Sequence, residues 1–192
     1  QGLDAGFELN DLYFLRAMPV ADTKTADIEI ALRKDGGGYA AELRSACTLS
    51  GKDGWQLHAQ AAIAPLSGDT PEPCDTSQII GRCQTGDVAP QAARIKSPQE
   101  AHLDFGPHWH VLRATHLGEG EGIATLSLPE ALQDSGQILH AGLMDLATGW
   151  AIQLAPGYDG SHLWVPLSYG ALRVYKPLPG QIFSWVRLAR GD

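Results

Sequence analysis

An alternation of apolar and polar residues in the first third of the chain constrains the fold most. Two alternating runs, residues 27–33 and 39–45, flank the glycine-rich stretch 35–38, and a third run covers residues 55–63. Because successive side chains of a strand point to opposite faces, a period of two with glycines between the runs predicts an antiparallel meander. The third run places five residues on one predicted face: Trp55, Leu57, Ala59, Ala61 and Ile63.

One segment of the second half follows the period of an α-helix instead. Its apolar residues fall at helical spacing: Leu139, Leu143, Leu146, Ala147, Trp150 and Leu154. This spacing predicts a helix over residues 138–154, which Pro156 and Gly157 would end. Strands are predicted around it, at residues 109–116, 123–128, 162–165, 168–175 and 182–188.

The composition changes in the middle of the chain. Residues 67–94 are small, polar and rich in turn-forming residues, which predicts a linker between a first half, 1–66, and a second half, 95–192. The second half has strands and a helix, whereas the first half has strands alone. An antiparallel sheet with one apolar face needs a cover, so we expect the first half to lack a helix that would lie upstream of Gln1.

Charge and cysteine content narrow the class of protein. The formal net charge of −8 argues against binding of nucleic acid or an anionic membrane through bulk charge. No apolar run is long enough to span a bilayer. The three cysteines lack metal-type spacing, which favours reduced thiols in a cytoplasmic protein. A short disulfide loop between Cys74 and Cys83 is the alternative.

A carboxylate inside the predicted helix is the first candidate for function. Asp145 stands between Met144 and Leu146, and burying a carboxylate among apolar side chains costs free energy. Adjacent residues of a helix point in different directions, however, so a solvent-facing aspartate is the alternative. The pattern alone leaves both readings open.

Other motifs carry weaker signals. His108 and His110, predicted on one face of a strand, could form half of a metal site. No Asp, Glu or Cys at ligand spacing completes that site, which favours a surface or pocket-lining role. Gly118, Gly120 and Gly122 precede a strand rather than a helix, so they predict a hairpin turn and not a phosphate loop. Four tryptophans are interpreted as core residues: Trp109, Trp150, Trp164 and Trp185.

Three segments together resemble the dehydratase family of modular polyketide synthases. Residues 105–110, Phe-Gly-Pro-His-Trp-His, resemble the family segment Tyr-Gly-Pro-x-Phe-Gln. Residues 139–145, Leu-His-Ala-Gly-Leu-Met-Asp, resemble the His-Pro-x-x-x-Asp motif, and residues 165–175 resemble a Leu-Pro-x-Ser strand. Their order and spacing agree with the family. A weaker likeness at residues 11–16 and 55–63 extends the resemblance over nearly the whole chain.

The resemblance implies an α+β fold of the double-hotdog type, in which two antiparallel sheets each wrap a long helix. The first hotdog, residues 1–66, would be incomplete, and the second, residues 95–192, would carry the catalytic aspartate. The implied reaction removes water from a 3-hydroxyacyl thioester on an acyl carrier protein, without a metal or nucleotide cofactor. Asp145 would be the acid, or would orient the departing hydroxyl, and a histidine would be the base. Five residues would line the substrate slot: His140, Phe105, Gly106, Pro107 and His110.

The sequence departs from the family pattern in ways that bear on activity. None of the seven histidines fits the family motif His-x-x-x-Gly-x-x-x-x-Pro; His58 comes nearest, but Ala62 and Ser67 stand where Gly and Pro are needed. We therefore expect the catalytic histidine to lie upstream of this chain or to be absent, so activity of the chain by itself is not implied. Three further positions differ: Ala141 replaces Pro, Gly149 replaces Gln or His, and Phe105 replaces Tyr.

These departures keep two other functions open. A relative with the same fold could act as a double-bond isomerase or a cyclase, and a degenerate hotdog could serve as a scaffold or dimer contact. The resemblance implies an acyl carrier protein as partner, with its phosphopantetheine arm carrying the substrate, along with neighbouring polyketide synthase domains. It is compatible with a homodimer. Since the chain is acidic overall, an acidic carrier protein would have to dock on a local basic patch.

Overall fold

The chain forms two compact units, and each combines segments that are distant in sequence. The computed structural model describes residues 6–90, 93–133 and 136–189. The units consist of Gln1–Thr70 with Val165–Lys176, and of Pro71–Trp164 with Pro177–Asp192. Within the described residues, two antiparallel sheets and a few short helices make the fold α+β, as predicted.

An antiparallel sheet forms the first unit. Its strands are β1 (Phe7–Phe14), β2 (Ile28–Asp35), β3 (Gly38–Leu49), β4 (Lys52–Pro65) and β7 (Ser168–Val174), and their order across the sheet is β2-β3-β4-β1-β7. The three alternating runs are thereby confirmed as β2, β3 and β4. Between β2 and β3 the turn residue Gly36 has a φ of 54°, in the left-handed region that favours glycine, which accounts for the glycines of the predicted turn.

Strand β7 changes the predicted division of the chain. The strand predicted at residues 168–175 is present, but it belongs to the first sheet rather than to the second half. It pairs antiparallel with β1, where Leu172 lies opposite Leu9. Cross-strand pairing of this kind depends on the partner strand, so the local pattern of residues 168–175 could not reveal it.

The ladder between β3 and β4 is irregular at His58. The register shifts there, because Leu57 and Ala59 pair with consecutive residues of β3. Such a shift changes which side chains point to a given face of the sheet. The shared face predicted for residues 55–63 is therefore interrupted: Trp55 is 50% exposed, whereas His58 is buried.

One apolar stretch of the first sheet is open to solvent. Ile28, Ile30 and Leu32 of β2 are 55%, 67% and 58% exposed. The part of this unit that the structure describes contains no helix. An uncovered apolar face is what the sequence argument anticipates, and the covering helix itself stays a prediction.

The second unit is built on a smaller antiparallel sheet. It comprises β5 (Leu112–Leu117), β6 (Glu121–Ser127) and β8 (Gln181–Arg187), in that order. The hairpin turn predicted between β5 and β6 is confirmed, with the Gly118 N–H donating to the Glu121 carbonyl at 2.9 Å. The strand predicted at 109–116 begins only at Leu112, and the described residues 162–165 form no strand.

Residues 67–94 are structured and are not simply a linker. They contain helix α1 (Thr76–Arg82), whose residue Ile79 is buried together with Cys83 against Ile123 of β6. A helix of seven residues is too short to show a helical period, so the turn-rich composition dominated the prediction. This stretch belongs to the second unit from Pro71 onward.

The segment after α1 lies along the free edge of β5. Thr85 and Val88 form bridges with Leu117 and Ala114 of that strand. The approach is closest at Gly86, where a Cβ atom would lie 1.9 Å from the Thr115 carbonyl oxygen. Only a residue without a Cβ fits there, because no side-chain rotation can relieve contact with a backbone atom.

Helix α2 (Ala141–Gly149) is shorter than the helix predicted at 138–154. It begins after His140, whose side chain caps the first turn, and it ends at Gly149, a poor helix former. A separate 3-10 turn, Ile152–Leu154, covers the rest of the predicted range. The helical spacing of the apolar residues is therefore confirmed, whereas the ends of α2 are set by the cap His140 and by Gly149.

The apolar face of α2 forms the core of the second unit. Leu143, Leu146 and Trp150 are at most 1% exposed. They pack with a set of buried residues from the sheet and its flanks: Val111, Leu112, Ala124, Leu126 and Leu128. The Trp150 indole donates to Ser184 Oγ at 3.0 Å, and that hydroxyl donates to the Ala147 carbonyl at 2.5 Å. Each large apolar side chain buried here contributes roughly 1.5–3 kcal/mol, and the polar link fixes α2 against β8.

The helices are short and the cysteines are unpaired. No helix in residues 6–90, 93–133 and 136–189 is long and apolar enough to cross a membrane. Cys47, Cys74 and Cys83 are free thiols, with Cys83 buried and Cys74 exposed. The alternative disulfide between Cys74 and Cys83 is not formed in this structure.

Replacing Gly86 with alanine tests the close approach to β5. We expect Gly86→Ala to destabilise the protein by about 1–3 kcal/mol, because the new Cβ must push the two backbones apart. The measurement is the free energy of unfolding in urea. Gly81→Ala is the control. Nothing lies within 4 Å of the Cβ that this substitution adds, and alanine raises the helix propensity of α1. Equal stabilities of the two variants would contradict the packing.

Candidate active site

A short turn packs directly on the first turn of α2. Residues Pro107–Trp109 form a 3-10 turn, with Pro107 in its first turn, where the missing N–H is no loss. The contact is tightest at Gly142, where a Cβ atom would lie 2.1 Å from the His108 carbonyl oxygen. Glycine at this position therefore lets the backbone of the turn lie against the helix.

The turn brings an indole donor to Asp145. Trp109 Nε1–H donates to Asp145 Oδ2 at 2.7 Å, a short hydrogen bond. Asp145 is half-buried, on a side of α2 other than the one that Leu143 and Leu146 bury in the core. Asp145 is therefore neither buried in the core nor free of protein contacts: it is half-buried, and a neighbouring side chain holds its carboxyl group.

The predicted slot residues Phe105 and His110 lie at the two ends of the same segment. His110 Nε2–H donates to the Phe105 carbonyl at 3.0 Å, which closes the segment on itself. The Phe105 ring stacks on Trp109 with 6.3 Å between centroids. Phe105 and His110 are half-buried, whereas Gly106 and Pro107 are exposed.

His108 and His110 do not lie on one face of a strand, and that expectation is wrong. His108 belongs to the 3-10 turn and His110 follows it, because Pro107 favours a turn at this point. Within the described residues, no group of three or more His, Cys, Asp and Glu side chains is placed to hold a metal ion.

His140 is the cap of α2 and is 5% exposed. Its Nδ1 accepts a hydrogen bond from the Gly142 N–H at 3.2 Å, and its ring stacks on that of His108 with 5.9 Å between centroids. Burial lowers the pKa of His140, and the neighbouring His108 lowers it further. The neutral ring with hydrogen on Nε2 fits both facts, because a protonated Nδ1 could not accept from the helix.

The structure gathers all six predicted site residues around the start of α2. Asp145 and His140 lie on or beside the helix, and residues 105–110 pack across its first turn. Sequence reasoning missed two residues here: Trp109, which donates to Asp145, and Gln99, whose carboxamide lies beside Gly149, one turn further along α2. Trp109 was interpreted as core, although its place in the Gly-Pro segment was a usable signal. Gln99 comes from a distant segment and gave no local signal.

His58, the histidine nearest to the family motif, lies in the first unit. It is 6% exposed, and both ring nitrogens are engaged. Nε2 accepts from Ser45 Oγ at 2.7 Å, and Nδ1–H donates to the Arg16 carbonyl at 3.1 Å. His58 thereby ties β3, β4 and the end of β1 together, which is a structural role.

Comparison with known proteins gives one family. The family model described as the polyketide synthase dehydratase N-terminal domain matches residues 72–192. No curated protein matches the chain in sequence.

Solved dehydratase structures share the fold. The dehydratase domain from the CurF module of curacin polyketide synthase is similar with a TM-score of 0.80 and 17% identity, over 98% of this chain and 67% of that one. A trans-AT polyketide synthase dehydratase domain from Brevibacillus brevis has a TM-score of 0.80 and 17% identity, over 100% of this chain and 68% of that one. An inactive Asp-to-Asn mutant of the CurK dehydratase has a TM-score of 0.75 and 18% identity, over 96% of this chain and 66% of that one. The chain therefore spans about two thirds of each structure's length.

Stability should depend on pH through His140. Because its pKa in the folded protein lies below the ordinary value of 6.5, the unfolded chain takes up a proton more readily as the pH falls below that value. Stability is therefore lost on acidification. The variant His140→Asn keeps a capping side chain but does not titrate. We expect its Tm to fall less than that of the wild type when the pH is lowered from 8 to 5. An equal loss in both proteins would contradict this role.

Proposed function

Because this chain belongs to the polyketide synthase dehydratase family, we propose that it takes part in removing water from a 3-hydroxyacyl thioester. In this reaction a base removes a proton from the carbon next to the carbonyl. The carbon–oxygen bond at the β-carbon breaks, an acid gives its proton to the departing hydroxyl, and water leaves. The electron pair of the broken C–H bond becomes the double bond of the α,β-unsaturated thioester.

The position of Asp145 supports its role as the acid or as the group that orients the hydroxyl. Its Oδ2 accepts a hydrogen bond from the Trp109 indole at 2.7 Å, and the residue is half-buried rather than enclosed in the core. A carboxyl group fixed by one oxygen can offer the other to a substrate hydroxyl in a defined direction. This single arrangement carries the proposal.

The turn residues beside Asp145 are proposed to contact substrate. Phe105 offers an apolar ring next to Trp109, and Gly106 and Pro107 present an exposed backbone without bulky side chains. His110 would shape the segment through its bond to the Phe105 carbonyl, and His140 would act mainly as the cap of α2. An apolar wall with a few fixed polar groups suits an acyl chain.

The base is proposed to be a histidine other than His58. A general base needs a free lone pair within reach of the substrate, and both ring nitrogens of His58 are bonded inside the first unit. None of the seven histidines fits the family's histidine motif. His58 is therefore excluded as the base in this proposal.

The substrate is proposed to arrive on the phosphopantetheine arm of an acyl carrier protein, within a polyketide synthase whose neighbouring domains supply and consume it. Acid–base elimination as written uses only protein side chains, so the proposal includes no metal and no nucleotide. The proposal also includes assembly of the protein as a homodimer. The dehydratase comparisons and the family match support the carrier protein and the neighbouring synthase domains as partners.

Replacing Asp145 with asparagine tests the proposed chemistry. In the full-length protein, we expect Asp145→Asn to lower kcat for dehydration of a 3-hydroxyacyl carrier thioester by about 10²-fold or more, because the amide cannot give up a proton. Mass spectrometry measures the loss of water. Asp87→Asn, an exposed aspartate of the same unit, is the matched control and should keep the wild-type rate.

Two outcomes would contradict the proposal. One is wild-type turnover in Asp145→Asn. The other is a shifted double bond from a 2-enoyl thioester with no water lost from the 3-hydroxyacyl thioester, which would favour an isomerase.

A further inference from the structure

Two positions near Asp145 differ from the family pattern, and they differ in a complementary way. Gly149 lies four residues after Asp145, one turn further along the same side of α2, where the family motif has Gln or His. Trp109 stands where the family segment has Phe. Compared with the family segments that it resembles, this chain therefore has no polar side chain at position 149 and has an indole N–H at position 109.

The indole N–H of Trp109 points at the Asp145 carboxylate. Trp109 Nε1–H bonds Asp145 Oδ2 at 2.7 Å. A phenylalanine at position 109 could fill similar space but has no group to donate. The orientation of the Asp145 carboxyl thus depends on a residue of the 3-10 turn, which Gly142 holds against the helix.

The space beside Gly149 is taken by Gln99. A Cβ atom at position 149 would lie 3.2 Å from Gln99 Oε1, 3.7 Å from its Cδ and 3.8 Å from its Nε2. A contact of 3.2 Å is tight, so any side chain at position 149 requires the Gln99 carboxamide to shift. The side chain that is missing from α2 is therefore matched by a carboxamide from another segment.

Gln99 is fixed in this place and is not a mobile surface residue. It is 6% exposed, and its Nε2 donates to the Trp164 carbonyl at 3.3 Å. Its own turn, Pro98–Ala101, is capped by Ser97 and by the Glu100 carboxylate in a capping box. Arg94 pairs with Glu100 at 2.7 Å and supports the same turn.

We infer that Trp109 is the positioning residue for Asp145, and that Gln99 fills the space beside α2 that glycine at position 149 leaves open. The inference rests on the proposed dehydratase function, because it gives Trp109 a part in orienting the acid. It also gives the departure at position 149 a physical reason that needs no loss of activity.

Kinetics of Trp109→Phe test the positioning role. We expect kcat for dehydration to fall about tenfold or more while KM stays within about twofold, because the ring is kept and only the donor to Asp145 is lost. Trp185→Phe, which removes an indole donor of the same unit that bonds Glu121 and not Asp145, should keep the wild-type kcat. An unchanged kcat in Trp109→Phe would overturn the inference.

The same assay separates failure of the inference from failure of the function. If the wild type removes water and Asp145→Asn does not, the function stands, and Trp109→Phe then decides the positioning role alone. If the wild type removes no water, the proposed function fails, and the hydrogen bond must be judged from spectroscopy.

The indole N–H signal of Trp109 gives a readout that does not need turnover. The chain has five tryptophans, so five indole cross-peaks are expected in a ¹⁵N–¹H spectrum, and triple-resonance assignment identifies that of Trp109. We expect Asp145→Ala to move this signal upfield and to speed its exchange with water, with the Trp150 and Trp185 signals unchanged. An unmoved Trp109 signal would overturn the assignment of the donor.

A pair of substitutions tests the role of Gln99. We expect Gly149→Gln alone to lower Tm, because its side chain meets Gln99, and Gln99→Ala to recover most of that loss in the double variant. If Gln99→Ala does not reduce the effect of Gly149→Gln, the two positions do not share this space and the inference is wrong.

Discussion

The close contact between the His108 carbonyl and Gly142 is the constraint on which the candidate site depends. A Cβ at position 142 would lie 2.1 Å from that oxygen, so only glycine lets the 3-10 turn lie against α2. The contact sets the distance between two segments that are far apart in sequence. Through it, Trp109 comes within 2.7 Å of Asp145. The need for glycine at position 142 thus fixes the geometry of the Trp109–Asp145 pair about one helical turn away.

The core explains how a carboxylate can be kept in an apolar helix. Leu143, Leu146 and Trp150 bury one side of α2 in the second unit and hold the helix rigidly. Asp145 occupies another side, where it is half-buried and bonded instead of fully desolvated. The stabilising face and the candidate carboxyl group therefore belong to one short helix, and the packing of the first fixes the direction of the second.

The sequence predicts the local features well and the long-range ones poorly. Alternation identifies β2, β3 and β4, and helical spacing identifies α2, since these patterns reflect burial of neighbouring residues. The pairing of β7 with β1 and the edge position of residues 85–89 depend on partners distant in sequence. At the site, Asp145 follows from the motif. Gln99 does not, because its place is defined only once the fold brings it to Gly149.

The Gly142→Ala variant tests most directly whether the turn on α2 sets the geometry of Asp145. Alanine is the better helix former, so an isolated α2 would gain stability from this change. In the folded protein we expect a disturbed site instead: the turn is displaced, and the Trp109 indole signal moves as it does when the Asp145 carboxylate is removed. A Trp109 signal at its wild-type position in folded Gly142→Ala would contradict the account.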